Sequence, residues 1–284
     1  MNTFFEKIPD EKKGTQMSDE ADNKLIQTWK DAWYAAGWEP RVLSLLDAKM
    51  HPKFEEYSEE LKKIPMMGVD GLGSNIVYNQ LCFLRWLAMA ASGGGYMSDY
   101  DVFPLQQTPM STPDTFTVFS VVKGSQTAGI PCLMGGEPAE WTRMAYAILE
   151  NGIKAAKTET MWSDMFALID MRKDQAYAVQ DAVVEGQDVL LDHPWTLSEC
   201  AITKDKKAVH MSHEALTKGH TLDGETFEDR PLIVNRFLSE WRPVCQTKDS
   251  GAAAADPAAG APVAADPAPA AEGSTPAIGA NSSL

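Results

Sequence analysis

A short apolar strand, an amphipathic helix and a second apolar strand open the chain, and this order constrains the fold more than any other feature. Asn2 to Glu6 reads as a brief strand, and residues 9 to 20 read as a charged loop. Asp19 to Ala36 is predicted to be helical, because Leu25, Ile26, Trp29, Trp33 and Ala36 recur at helical spacing. Gly37 then stands where a helix C-cap is expected. Arg41 to Leu46 reads as a buried strand. A β-α-β opening needs a crossover and implies a parallel sheet with helices on its faces.

The pattern continues along the chain. Asp47 to Met67 reads as a charged helical stretch bounded by Pro52 and Pro65, and Gly68 to Ser74 as a glycine-rich entry to a strong helix over Asn75 to Ser92. That segment lacks the Gly-Lys-Ser/Thr ending of a phosphate loop. Val102 to Pro113 reads as a proline-containing loop. Phe116 to Val122 and Ile130 to Met134 are predicted strands, joined by a turn at Lys123-Gly124-Ser125. Helices are predicted over Glu137 to Asn151, Met161 to Met171 and Pro231 to Trp241, with short β pieces at Asp188 to Leu191 and Ala208 to Met211. The expectation is an α/β protein with a mixed, mainly parallel sheet flanked by helices. From about Thr247 alanine, proline and glycine dominate, and no Lys or Arg follows Lys248. Residues 1–246 are therefore expected to form one folded domain and 247–284 a disordered tail.

Charge and cysteine usage limit the function classes. Lys and Arg number 25 against 40 Asp and Glu, a formal net charge of −15, which argues against nucleic acid and anionic membranes as partners. An anionic small molecule is still compatible, since one bound cation inverts the local field. Cys82, Cys132, Cys200 and Cys245 are widely spaced and form no Cys-x-x-Cys pair. They read as reduced, mostly buried thiols. Met1 to Asp10 is too short and too charged for a signal peptide, and the apolar run Leu81 to Ala91 carries Arg85 and is too short to span a bilayer. A soluble protein of a reducing compartment, the cytoplasm, is expected.

The stretch richest in chemistry is Gly93-Gly94-Gly95-Tyr96-Met97-Ser98-Asp99-Tyr100-Asp101-Val102. In an extended chain Asp99 and Asp101 point to one side, where two carboxylates can hold Mg²⁺ or Mn²⁺. Alone, the tripeptide reads as a polar turn after a helix, with the glycines as C-cap and the aspartates facing solvent, and it is the surroundings that turn the reading towards a metal site. Preceded by Phe83-Leu84-Arg85-Trp86-Leu87, it resembles the sugar-binding Asp-x-Asp region of GT-A glycosyltransferases. It is most similar to the group containing yeast-type mannosyltransferases and capsular polysaccharide glycosyltransferases. The likeness covers about thirty residues well and the β-α-β surroundings loosely. It departs from that pattern at Cys82, where the group carries an aspartate, and in one extra residue between the arginine and the aspartate pair.

The resemblance implies a GT-A-like, Rossmann-type fold and a hexosyltransferase that uses a nucleotide-sugar donor, a UDP- or GDP-sugar, with Mn²⁺ or Mg²⁺, and it leans towards retention of anomeric configuration. The acceptor would be a glycan or another hydroxyl compound. It implies that Asp101 binds the cation directly, that Asp99 contacts sugar or ribose hydroxyls and the cation's water shell, and that Gly94, Gly95 and Arg85 face the donor. Ala208-Val209-His210 is similar to the short β segment in which such enzymes place a metal-binding histidine, making His210 the third ligand. His213 is then expected at a phosphate or the acceptor, and Lys218 at the diphosphate, with a surface lysine as the simpler reading of the latter. Imidazole suits manganese better than magnesium. Asp164 at a predicted helix start is the candidate to orient the acceptor or act as base, with an ordinary first-turn aspartate as the simpler reading. Trp38, Trp86, Trp162 and Trp195 could stack on a base or sugar ring, although most tryptophans at such positions are core. Two other classes stay open: a Mg²⁺-dependent phosphotransfer enzyme, and a non-catalytic nucleotide-sugar-binding protein on the same scaffold.

Overall fold

The computed structural model describes residues 1–8, 17–66, 76–123, 126–127 and 130–246. Strand β1 (Asn2–Phe4) leads to helix α1 (Asp19–Ala35) and strand β2 (Arg41–Leu43). β1 and β2 pair in parallel, Asn2 with Arg41 and Phe4 with Leu43, as the opening predicts. β2 is shorter than expected. Ser44 instead caps α2 (Leu45–Lys49) in a capping box with Asp47. The predicted single helix after it is two, α2 and α3 (Phe54–Leu61), because Pro52 interrupts the backbone ladder.

Helix α4 (Ile76–Ala91) delivers the chain to β3 (Gly95–Ser98) and β4 (Val102–Pro104). Then follow β5 (Thr117–Ser120), a hairpin of β6 (Val122–Lys123) and β7 (Gln126–Thr127), and β8 (Leu133–Gly136). Next come α5 (Pro138–Ala155), α6 (Asp164–Met171), β9 (Ala178–Asp181), β10 (Val183–Glu185) and α7 (Cys200–Thr203). β11 (Ala208–His210), α8 (His213–Lys218) and α9 (Arg230–Cys245) complete the described residues. β4 occupies part of the predicted loop, and a 3₁₀ turn over Gly186–Asp188 covers the start of the strand expected at Asp188 to Leu191.

The main sheet runs in the order β2-β1-β3-β8-β5-β9. It is mixed: β8 is antiparallel to both β3 and β5, and the other pairings are parallel. A smaller sheet, β10-β11-β4, stands beside it. Two apolar cores form. One joins Leu25, Trp29 and Trp33 of α1 to Phe237 and Trp241 of α9 and to the small sheet. The other joins Trp86 of α4, Trp141 and Ile148 of α5 and Leu168 of α6 to Phe116 and Val118. Burial of these faces is the main stabilising term. Met1 to Thr247 form one compact unit. The expected disordered tail and glycine-rich entry at 68–74 lie outside the described residues.

The glycine run stops α4. Gly93, Gly94 and Gly95 have φ of 94°, 70° and 88°, the left-handed region where a side chain is strained. The Gly94 N–H donates to Met89 O at 2.9 Å, the closing bond of a Schellman motif. A Cβ on Gly94 would lie 2.7 Å from Pro138 N. Gly94→Ala is therefore expected to cost roughly 2–4 kcal/mol, from backbone strain and a backbone clash together. Urea unfolding of the variant against wild type measures this.

One expectation about the thiols fails. Cys200 and Cys245 form a disulfide with Cα atoms 5.4 Å apart, tying α7 to the end of α9. Their separation of 45 residues hid the pairing, which only the return of α9 to α7 creates. The Trp241 indole N–H donates to Thr203 Oγ1 at 3.0 Å across the same contact. Cys82 and Cys132 are free, as expected. Closing a loop of this length constrains the unfolded chain, so reduction, or Cys245→Ser, is expected to lower stability by about 2–4 kcal/mol. Thermal unfolding with and without reductant tests it. Among the described residues no helix is long and apolar enough to cross a membrane.

Candidate metal and ligand site

The order of strands locates a site before any side chain is considered. From β1 the chain crosses to β2 on one side and later returns to β3 on the other. A crevice opens outside the carboxyl ends of parallel strands at such a reversal, and ligands of open α/β sheets bind there. A cavity of about 460 Å³ lies at this place. Phe4, Phe5 and Glu6 line it from the end of β1, and Asp99, Tyr100 and Asp101 from the end of β3.

The two aspartates sit in a tight turn between β3 and β4, not in an extended strand. The Val102 N–H donates to Asp99 O at 3.0 Å, closing the turn. Helix α1 fixes both of its ends. The Trp29 indole N–H donates to Ser98 Oγ at 2.9 Å, and that of Trp33 to Val102 O at 3.0 Å. The small sheet supplies the third member. β11 pairs with β4 so that His210 stands opposite Val102, and the Met211 N–H donates to Asp101 O at 2.8 Å. One ligand atom from each of Asp99, Asp101 and His210 lies within 4.8 Å of the others.

Each aspartate carries a guanidinium. Arg85 Nη1 donates to Asp99 Oδ1 at 2.7 Å, and Arg230 Nη1 to Asp101 Oδ2 at 3.3 Å. Asp101 Oδ1 faces His210 Nε2 at 3.5 Å. Burial raises the Asp99 pKa to about 6; Arg85 opposes this and Asp101 adds to it. Asp101 goes the other way: burial pushes it up, but His210 and Arg230 outweigh that and hold it below the usual range. His210 mirrors it: burial disfavours its charge, yet Asp101 raises its pKa well above the ordinary histidine value. The buried Cys132 thiol also contacts His210.

Asp164 turns away from a solvent role. It is 3% exposed, and its Oδ2 accepts from Arg85 Nε at 3.2 Å, Arg85 Nη2 at 2.7 Å and the Trp86 indole at 3.1 Å. Ser163, not Asp164, caps α6, accepting from the Phe166 N–H. Asp164 is thus built as the anchor of Arg85, an arrangement different from a free acceptor base. His213 lines the cavity, stacks on Phe227 with ring centroids 4.1 Å apart, and takes a hydrogen bond on Nδ1 from Arg230 Nη2 at 2.6 Å. Burial and then Arg230 lower its pKa.

Three expected placements do not hold. Gly94 and Gly95 stand at the start of β3, the end opposite Asp99, where Gly95 O accepts from the Trp141 indole at 2.9 Å. Their helix-stop geometry explains the run without a ligand. Lys218 is 61% exposed at the end of α8 and pairs with Glu214 one turn back, away from the cavity. The four tryptophans do not line the cavity either: Trp86 and Trp195 are core, Trp38 packs on Trp33 and Tyr96, and the Trp162 indole donates to Asn151 Oδ1. The phenyl and phenol rings that do line it are Phe4, Phe5, Tyr78, Tyr100 and Phe166.

Arg230 was not singled out from the sequence. The one available signal was an arginine at the first residue of a helix, where the macrodipole disfavours a cation. Asp22 was also missed: buried on α1, it accepts from the Tyr100 hydroxyl at 3.3 Å. Cys82 lines the cavity as a thiol whose pKa is pushed up to about 12, by burial and then Asp164.

Comparison with known proteins reaches only part of this site. Residues 1–114 are similar to a family described as a domain of unknown function, DUF8765. That span holds Arg85, Asp99 and Asp101 but not Asp164, His210 or Arg230. No curated protein matches the chain.

Proposed function

We propose that the protein is a divalent-cation-dependent glycosyltransferase of GT-A type, moving a hexose from a nucleotide-sugar to a hydroxyl acceptor. The observation that carries this reading is the convergence of Asp99, Asp101 and His210 at the carboxyl ends of β1 and β3. The donor set fits Mn²⁺, and Mg²⁺ less well, through two carboxylates and an imidazole. Each carboxylate keeps one oxygen clear of its arginine: Asp99 Oδ2 and Asp101 Oδ1. Bound there, the cation would supply Lewis-acid stabilisation of the departing diphosphate.

The chain's own residues do the rest of the work. Arg230 holds Asp101 in one rotamer, and Arg85, itself anchored by Asp164, does the same for Asp99. His210 must shed its proton to ligate, so it is neutral in the working state. Phe4, Phe5 and Tyr78 offer flat apolar faces for a base or sugar ring. The cavity volume is in the range that holds a small-molecule ligand of this kind.

The second reading, a binder without turnover, is favoured by Cys82. A protonated thiol occupies the place of a carboxylate that the resemblance leads one to expect, and it accepts hydrogen bonds from sugar hydroxyls poorly. A thermal-shift panel of UDP- and GDP-sugars with Mn²⁺, followed by a hydrolysis assay on any hit, separates the readings. A Mn²⁺-dependent shift with sugar release supports the transferase. A shift without release supports the binder. No shift with any nucleotide-sugar defeats both.

A further inference from the structure

We propose that Arg230 makes cation binding depend on an anionic ligand: weak for the cation alone, strong together with a diphosphate. This rests on the cation reading above. Arg230 is 2% exposed and is the first residue of the sixteen-residue helix α9. A cation there opposes the helix dipole, and burying a guanidinium is costly, so helix stability does not account for it. Its contacts do. Nη1 donates to Asp101 Oδ2 at 3.3 Å, Nη2 donates to His213 Nδ1 at 2.6 Å, and Nε has no hydrogen-bond partner.

The consequence is electrostatic. Both candidate carboxylate ligands already hold a guanidinium on one oxygen, Asp99 that of Arg85 and Asp101 that of Arg230. Arg85 is also neutralised by Asp164, so the like charge that a divalent cation entering the cluster meets at short range is chiefly Arg230, and in a buried site such repulsion is little screened. An anion spanning the cation and the arginines removes the repulsion. A diphosphate has the charge to do so, and an uncharged nucleoside does not. Lys218, exposed and paired to Glu214, is not placed to take this part. By linkage, the anion must tighten the cation as much as the cation tightens the anion.

Calorimetric titration of the full chain with MnCl₂ alone, with uridine and with UDP or GDP tests this. Wild type is expected to bind Mn²⁺ about tenfold or more tightly with a nucleoside diphosphate than alone, within the usual range of coupling. Uridine is expected to give no gain. Arg230→Gln should bind Mn²⁺ alone more tightly than wild type and lose most of the coupling, while Arg230→Lys, which keeps the charge, retains it. Equal Mn²⁺ affinity with UDP, GDP and uridine overturns the proposal from wild type alone, whether or not the variants fold. So does Arg230→Gln, folded by circular dichroism, binding Mn²⁺ alone no more tightly than wild type. Mn²⁺ binding without coupling sinks this inference only. No Mn²⁺ binding in any arm sinks the cation reading with it.

Discussion

Asp101→Ala is expected to weaken Mn²⁺ binding in the presence of a nucleoside diphosphate by at least about 100-fold, since a lost first ligand should exceed the 10–100-fold cost of losing a ligand's supporting partner. The reason is positional. Asp101 is the member that meets both other parts of the site: its Oδ1 faces His210 at 3.5 Å and its Oδ2 takes Arg230 at 3.3 Å. Removing it also frees Arg230 into the cavity, where its charge repels a cation. Asp101→Asn keeps the shape and the turn but loses the charge, so it should fail nearly as badly. If Asp101→Asn instead binds within about threefold of wild type, charge at this position is not what holds the cation, and Asp101 is a turn residue only.

Asp164→Ala is the second large effect, and it is on stability. The substitution leaves Arg85, 8% exposed, with Asp99 as its remaining carboxylate, and leaves the buried Trp86 indole N–H without its acceptor. Removing one partner of a buried pair typically costs about 3–5 kcal/mol, and because Asp99 still pairs with Arg85 the loss is expected at the lower end, about 3 kcal/mol. Guanidinium unfolding reads this as a lower midpoint at unchanged slope. Asp164→Asn retains an acceptor for Trp86 and should lose less. The double variant Arg85→Met/Asp164→Leu, apolar at both places, should lose less than the sum of the single variants. A loss below about 1 kcal/mol for Asp164→Ala would show that the ion pair is solvated like a surface bridge.

The parts legible in the sequence share a property: they depend on local spacing. The β-α-β opening and α1 followed from period and capping, and α1 runs from its Ser18 cap to within a residue of the expected end. The Asp99, Asp101 and His210 grouping joined a local motif to a valine–histidine strand over a hundred residues later, and the register of β4 with β11 closes that gap. The aspartates share a side through a turn and not through the strand alternation that the spacing suggests.

What stayed hidden depends on long-range geometry. Arg230 reaches Asp101 across 129 positions, and nothing near it in the sequence marks a ligand. The Cys200–Cys245 bond requires α9 to lie against α7. The resemblance implies that Gly94 and Gly95 face the donor, yet the four-residue strand β3 separates them from Asp99. Lys218 followed the histidines in sequence, but α8 turns it to solvent.

The central claim is that Asp99, Asp101 and His210 hold a divalent cation together with a diphosphate. The most direct measurement is the electron paramagnetic resonance signal of Mn²⁺ titrated with the full chain in the presence of UDP or GDP. Binding removes the free six-line signal. Loss of that signal at one Mn²⁺ per chain in wild type, and its persistence with Asp101→Ala, is the predicted result. An undiminished free Mn²⁺ signal with wild type, or equal loss with Asp101→Ala, would contradict the claim.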